Sequence, residues 1–436
     1  MPEFTDITFP QGFLWGCATS SHQVEGNCTN NDWWAWEQEG GHIRDGSVSG
    51  LACDHYNRFD EDFALARELG HNAHRISIEW SRIEPEEGRW DMAEVDHYRR
   101  VLESMHRHGL TPFVTLHHFT NPLWFRDRGG WLDPQAPDLL ARYAGFMARE
   151  LGELVPFWLT INEPMITVAV GYLVGYFPPC QRDMDQAMTV ARHLLLAHGR
   201  MYQAIHEATT HHPQVGIVMA MIDYQPRDPH SAADRRVAQM ADDLMNEYFL
   251  AGIDRGLIPP PAGLGQETPG LKRTWDVIGL NYYARALMSE RTLASRRLFG
   301  EPPPGAELSL MGWEVHPEGF YRLLKRLQTY GRPIYVTENG ISTLDDDQRC
   351  RYLLRHLGEM RRAMGEGVDV RGYLHWTLMD NFEWAEGYRQ KFGMVAMDPD
   401  TREREPKPSA YLYRDIARAN AVAAEQFEKY LAQAGP

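Results

Sequence analysis

Cysteine is scarce in this chain. Its 436 residues include five, Cys17, Cys28, Cys53, Cys180 and Cys350. They are odd in number and scattered, with no C-x-x-C pair, so neither a disulfide framework nor a zinc site is indicated. A reducing cytoplasm is the compartment that fits, and a thiol such as Cys53 reads as packed rather than reactive. Basic residues are outnumbered: 44 Lys plus Arg stand against 60 Asp plus Glu, a net charge of −16. Such a surface repels phosphate backbones and anionic lipid, which argues against nucleic acid and membrane partners and favours uncharged ones. No apolar run approaches the ~20 residues that span a bilayer; the longest, residues 166–177, is broken by Gly171 and Gly175 and ends at Pro178-Pro179. The start, Met1-Pro2-Glu3-Phe4-Thr5-Asp6, carries acid where an export signal needs base. Also missing are a Gly-rich phosphate loop after any strand, an H-E-x-x-H pair and a Gly-, Ser- or Pro-rich linker between halves. Pro259-Pro260-Pro261 and Pro302-Pro303-Pro304 fall inside strand-to-strand intervals and read as surface loops.

What is present is a core-forming composition with a repeating pattern. Hydrophobic residues make up 43% and aromatic ones 11%, ample for a large core. Short β-rich runs at residues 13–18, 73–78, 112–117, 157–161, 215–221, 277–281, 333–337 and 372–376 alternate with amphipathic stretches. The latter cover residues 60–69, 93–108, 139–154, 192–207, 232–250, 319–330, 347–364 and 409–419. Eight strand-helix units imply an all-parallel sheet. A doubly wound sheet would need its phosphate-loop signature, so the fold class expected is α/β, a single (β/α)8 TIM barrel with extended βα loops, one domain over residues 1–436.

Chemistry in such barrels gathers at the C-terminal strand ends, where the loops project over one rim. Those ends here are polar: Gln23 past the first strand, Arg75 in the second, His117-His118 at the third, Asn162-Glu163 at the fourth. Asn281-Tyr282-Tyr283 close the sixth and Glu338-Asn339-Gly340 the seventh, and the eighth leads from Trp376 to Glu383-Trp384. Each alone reads as a satisfied core group; together they incur a desolvation cost that a purely structural barrel would avoid. Glu163 and Glu338 end opposed strands. Paired carboxylates over an uncharged, aromatic-lined cleft suit glycoside hydrolysis. A metal reading would need further ligands at set spacing beside His117 and His118, so no metal and no cofactor are assigned.

The residues also carry a family likeness. Phe13-Leu14-Trp15-Gly16-Cys17-Ala18-Thr19-Ser20-Ser21-His22-Gln23-Val24-Glu25-Gly26 resembles the N-terminal signature of the family 1 glycoside hydrolases, the β-glucosidase family. The likeness runs on through Arg75-Ile76-Ser77-Ile78-Glu79-Trp80, Thr160-Ile161-Asn162-Glu163-Pro164, Asn281-Tyr282-Tyr283, Thr337-Glu338-Asn339-Gly340 and Asp380-Asn381-Phe382-Glu383-Trp384. It implies a retaining (β/α)8 barrel acting on terminal β-D-glucosyl residues, and on galactosyl or fucosyl ones, in small β-glycosides or short oligosaccharides such as cellobiose. It further implies Glu338 as nucleophile, Glu163 as acid/base, and Arg75 and Tyr283 as contacts of the nucleophile. Asn162 would meet the sugar 2-hydroxyl, and Gln23, His118, Glu383 and Trp384 the 3-, 4- and 6-hydroxyls. Asn281 and Phe392 would belong to the sugar site, Trp376 to its floor and Trp313 to the aglycone platform outside it. Phe119 follows His118 where the family commonly has Trp, which keeps an aromatic wall and loses an indole donor.

Three other readings are weighed against this one. A 6-phospho-β-glycosidase would carry phosphate-binding residues where Glu383, Gln390 and Phe392 stand, and an anionic Glu383 would repel the phosphate. A thioglucosidase lacks the acid/base carboxylate that Glu163 provides. A non-catalytic carbohydrate-binding barrel would be expected to have lost one glutamate, and both are here. None of these motifs encodes whether copies of the chain form a homo-oligomer.

Overall fold

The computed structural model of the protein describes residues 4–295 and 297–431. The sequence reading of the N-terminus falls partly on residues 1–3, outside the described residues. Eight strands close a barrel in which every neighbour is parallel and sequential: β1 (Leu14–Ala18), β2 (Ala73–Ser77), β3 (Thr111–His117), β4 (Phe157–Asn162), β5 (Gln214–Pro226), β6 (Val277–Met288), β7 (Ile334–Asn339) and β8 (Val370–Trp376). β8 returns to β1, with Leu14 opposite Gly372 and Ala18 opposite Trp376. The eight-strand reading and the (β/α)8 class hold.

The barrel interior is filled rather than hollow. Phe113, Phe157 and Tyr335 meet with ring centroids 4.3 to 5.1 Å apart. Ala18, Ala73, Leu159, Val218, Val277 and Leu374 pack around them. A second, larger apolar layer lies between the outer faces of the strands and the surrounding helices.

Element ends depart from the expected ones for local reasons. The helix expected from residue 93 is Met92–Arg107, because the Asp91 carboxylate accepts hydrogen bonds from the backbone N–H groups of Ala93 and Glu94. The one expected from 192 starts eight residues earlier, at Met184, where Asp183 caps the Gln186 N–H. The helix expected over 232–250 is split into Ala232–Asp242, a π turn Asp243–Glu247 and Tyr248–Arg255. β5 and β6 run well past their expected ends, pairing above the barrel from Asp223 opposite Arg285 to Pro226 opposite Met288. The apolar run 166–177 starts at the end of a short helix, Pro164–Ile166, and continues as a π turn, Thr167–Val174, that Gly175 ends at φ 69°. Among the described residues no helix is long and apolar enough to cross a membrane. All five cysteines are unpaired, four of them buried and Cys180 exposed.

Candidate active site

The chemistry-bearing strand ends are irregular. Register shifts fall between Leu159 and Asn162, between Leu280 and Asn281, and between Val336 and Asn339. Such bulges re-aim side chains. Here they sit beside Glu163, Asn281 and Glu338 and turn all three into one cavity of about 180 Å³. Glu163, at the junction of β4 with the next helix, adopts φ 46°, an uncommon left-handed backbone for a non-glycine residue.

The two carboxylates have unlike partners. Glu338 accepts from Arg75 Nη1 at 2.5 Å and from the Tyr283 hydroxyl at 2.6 Å. Glu163 accepts from Asn281 Nδ2 at 2.7 Å, and among the described residues no cation pairs with it directly. Burial and the Glu338 charge push Glu163 up to about 8. Burial raises Glu338 too, but the Arg75 guanidinium and the Tyr283 hydroxyl pull it back, so Glu338 is the member held ionised. Arg75 is fully buried and braced by Thr115 Oγ1 at 2.9 Å. Its Nη2 also donates to Asn162 Oδ1 at 2.6 Å.

That last bond orders the next residues. With Asn162 Oδ1 accepting, its Nδ2 donates to His118 Nε2 at 3.1 Å. The His118 proton must then be on Nδ1, a buried donor with no partner among the described residues. Burial and Arg75 hold this imidazole well below its usual range, hence neutral. Asn281 is fixed in turn by Thr337 Oγ1, which donates to its Oδ1 at 2.7 Å.

Ring packing completes the pocket. Trp384 stacks near His22 and His118, with centroids 5.8 and 6.0 Å away, and meets Phe119 at 5.1 Å. Trp376 lies 6.1 Å from His118. Phe392 and Trp313 flank Tyr283 at 6.0 and 5.6 Å.

Of the residues singled out from sequence, Glu163, Glu338, Tyr283, His118, Asn162, Asn281, Trp313, Trp376, Glu383, Trp384 and Phe392 line this one cavity. Gln23 and Arg75 lie behind its wall. The Gln23 side-chain amide accepts from Ser20 Oγ and donates to the Phe382 carbonyl at 3.0 Å and to Glu383 Oε2 at 3.3 Å. His117 turns away, donating from Nε2 to Asn121 Oδ1.

Two sequence readings around Glu383 change. Burial and the Glu338 charge push its carboxyl up to about 8, so at neutral pH it is chiefly protonated and not the anion expected to repel a phosphate. Gln390 is buried behind the wall, bonded to Ser342 and Glu386. The wall residues that sequence reasoning missed include Ile166, Val170, Ile222, Phe299, Met311 and Glu386. They are ordinary loop and strand residues whose types carry no signal until the chain is folded. One cluster of metal-ligand type exists among the described residues, His22, Cys28 and Glu79; it contains none of the cavity carboxylates. Its groups already bond to Glu37, Asn31, Arg82 and nearby hydroxyls.

A buried carboxylate pair with unlike surroundings, set among rings at the C-terminal rim of a closed parallel barrel, is the arrangement of an O-glycoside hydrolase. The family profile "Glycosyl hydrolase family 1" matches residues 5–422, and the chain belongs to that family. Its fold superposes on the β-glycosidase from Pyrococcus horikoshii with a TM-score of 0.90 at 40% identity, over 98% of each chain. Beta-glucosidase A of Thermotoga maritima is 34% identical over 95% of this chain and 98% of its own length. A beta-galactosidase of Pyrococcus woesei is 32% identical over 97% and 99% respectively.

Proposed function

We propose that the protein, acting as one barrel domain, removes terminal non-reducing β-D-glucosyl residues, and β-D-galactosyl or fucosyl ones, from small glycosides. Cellobiose is the shortest oligosaccharide of this class, and its degradation in the cytoplasm fits the acidic surface and the free thiols. The Thermotoga maritima enzyme has been solved with glucoimidazole and with galacto-hydroximolactam, a glucose-like and a galactose-like ligand. The reading rests chiefly on the unlike partners of Glu163 and Glu338.

Glu338, ionised beside Arg75 and Tyr283, attacks the anomeric carbon. The bond to the leaving oxygen breaks as Glu163 delivers its proton there, and a glycosyl ester forms on Glu338. Esterification removes the negative charge that raises Glu163, so the now ionised Glu163 can take a proton from water. The resulting hydroxide equivalent opens the ester, and net retention of the β-anomer follows from two inversions. Asn162 is the 2-hydroxyl contact, the orphan His118 Nδ1–H the donor to a neighbouring hydroxyl, Glu383 the partner of the far hydroxyls and Trp376 the floor. Gln23 acts by holding Glu383.

The test is a glucoside, galactoside, fucoside, xyloside and mannoside rate panel with the first-formed anomer followed by NMR. Glu338→Gly should lose turnover and, with azide, yield the α-glycosyl azide. An α-configured hydrolysis product from the unmodified enzyme would refute the double displacement.

A further inference from the structure

A second cavity shares an aromatic wall with the catalytic one. It holds about 150 Å³, against about 180 Å³ for the catalytic cavity, and is built by the segments that follow β1, β3 and β4. Phe119 and Phe177 line both, whereas none of Glu163, Glu338 and Glu383 reaches the second. Trp33 and Trp131 supply further ring walls. Polar groups are left over among these rings. Tyr172 is 4% exposed and its hydroxyl bonds to no described residue. Trp131 Nε1 and Thr167 Oγ1, on two more lining residues, are buried with no partner among the described residues. The two oxygens of Asp32 offer about four acceptor positions, and three are taken, by the Trp33 and Asn121 N–H groups and by Asn121 Nδ2. The lining is exposed at Arg126, Pro179 and Gln181 and part-exposed at Gln186, which marks the mouth.

The chemistry of this set narrows what it can take. Burial pushes Asp32 up to about 6 while its Asn121 bonds pull it back, so at neutral pH it is chiefly an anion and disfavours a second one. A metal ion would need more ligands: Asp32 is the lone Asp, Glu, His or Cys among the described lining residues. An organic cation would find that carboxylate already held by three N–H donors, with the Arg126 guanidinium at the mouth. A wholly apolar ligand would cover the Tyr172 hydroxyl without pairing it, at the full desolvation cost of that group. What fits is an uncharged molecule with hydroxyls at its edge and CH faces for the rings, which is a sugar. We propose that this cavity is a second, non-catalytic binding site for one neutral hexose ring, with Asp32 accepting from one hydroxyl and Tyr172 donating to another. Trp33 meets Phe177 at 4.8 Å and Trp384 at 4.6 Å, so the site adjoins the catalytic cavity without containing its carboxylates.

The experiment is a calorimetric titration of D-glucose into the protein with its catalytic cavity saturated by glucoimidazole. One equivalent of glucose should still bind. Tyr172→Phe should weaken it about two- to tenfold, the range for one neutral hydrogen bond. Because that hydroxyl has no partner to lose among the described residues, the urea midpoint of the variant should not fall. Gln186→Trp, which fills the mouth, should abolish the binding. Both variants should keep the glucoimidazole dissociation constant within about twofold of the unmodified protein's, a readout that a general loss of structure would not spare. Absence of saturable glucose binding, or binding that neither variant weakens, overturns the proposal. So does displacement of the glucose by methylammonium or inorganic phosphate at equal concentration, which would make the site one for a charged ligand. Failure of glucoimidazole to bind counts against the glycosidase reading alone, since the two variants still locate the second site in the unblocked protein.

Discussion

Glu163 is held protonated by two causes that act together, desolvation and the charge on Glu338. In the proposed role of proton donor, it should make kcat/KM fall as pH rises through about 8, to be seen in initial rates on an aryl β-D-glucoside. Asn281 donates to this carboxyl and so favours its ionised form. Asn281→Ala should therefore move the basic limb to higher pH. Tyr283→Phe removes a donor from ionised Glu338, which should raise the acid limb and lower kcat by about ten- to a hundredfold, the range for a hydrogen bond to a charged group. At this scale the sequence was informative wherever a residue type is rare inside a barrel. Glu163, Glu338, Arg75 and Tyr283 were legible as polar strand ends. That Gln23 stands behind Glu383, and that Glu383 keeps its proton, was not, because both depend on how many neighbours exclude water.

The register shifts at the ends of β4 and β7, and within β6 at Leu280 and Asn281, are what bring these side chains to one point. Gly340 shows how little room they leave: a Cβ there would lie 2.0 Å from the Trp376 carbonyl oxygen. Gly340→Ala must push β7 from β8 between Glu338 and Trp376, and an ångström of misplacement costs on the order of a hundredfold in rate. We expect a kcat loss of that order, read on an aryl glucoside. Asp91→Ala, at a helix start, should instead cost about 1 kcal/mol of stability in urea unfolding and leave kcat unchanged. Helix starts were misread from sequence because periodicity marks the first buried residue and not the cap. The overshoot of β5 and β6 was invisible for a related reason: past the rim they satisfy each other's backbone, and no single-strand pattern reports that pairing.

Across the whole molecule, buried imidazoles and buried carboxyls set opposing limits on stability. Burial drops His71 and His356 to about 3 and His97, His117 and His198 to about 4, against 6.5 when unfolded. The unfolded chain then binds more protons, so stability is lost as pH falls below 6.5. Glu163 and Glu383, raised to about 8 from 4.5, work the other way: the folded state binds more protons and stability falls as pH rises from 4.5 to 8. Urea midpoints should peak at roughly pH 6.5, with the steeper decline on the acid side. The same inventory bears on charged substrates. Among the described lining residues there is no Lys or Arg. A 6-phosphoglucoside should accordingly show a lower kcat/KM than the neutral glucoside, for want of a cation rather than through repulsion by an anionic Glu383.

Eight alternations of strand and helix, and the T-x-N-E-P and T-E-N-G strand ends, were determined by the sequence alone. Periodicity and residue type are local properties, and a parallel sheet of eight units has few ways to close. What the cavity accepts beyond the sugar was decided only by the tertiary structure. Ile166, Val170, Ile222, Phe299 and Met311 are unremarkable apart from one another and form a surface only when the segments that follow β4 and β6 and the overlong β5 converge. The proton on Glu163, the one on Glu383 and the tautomer of His118 were decided there as well, since each is fixed by desolvation and by partners distant in the chain.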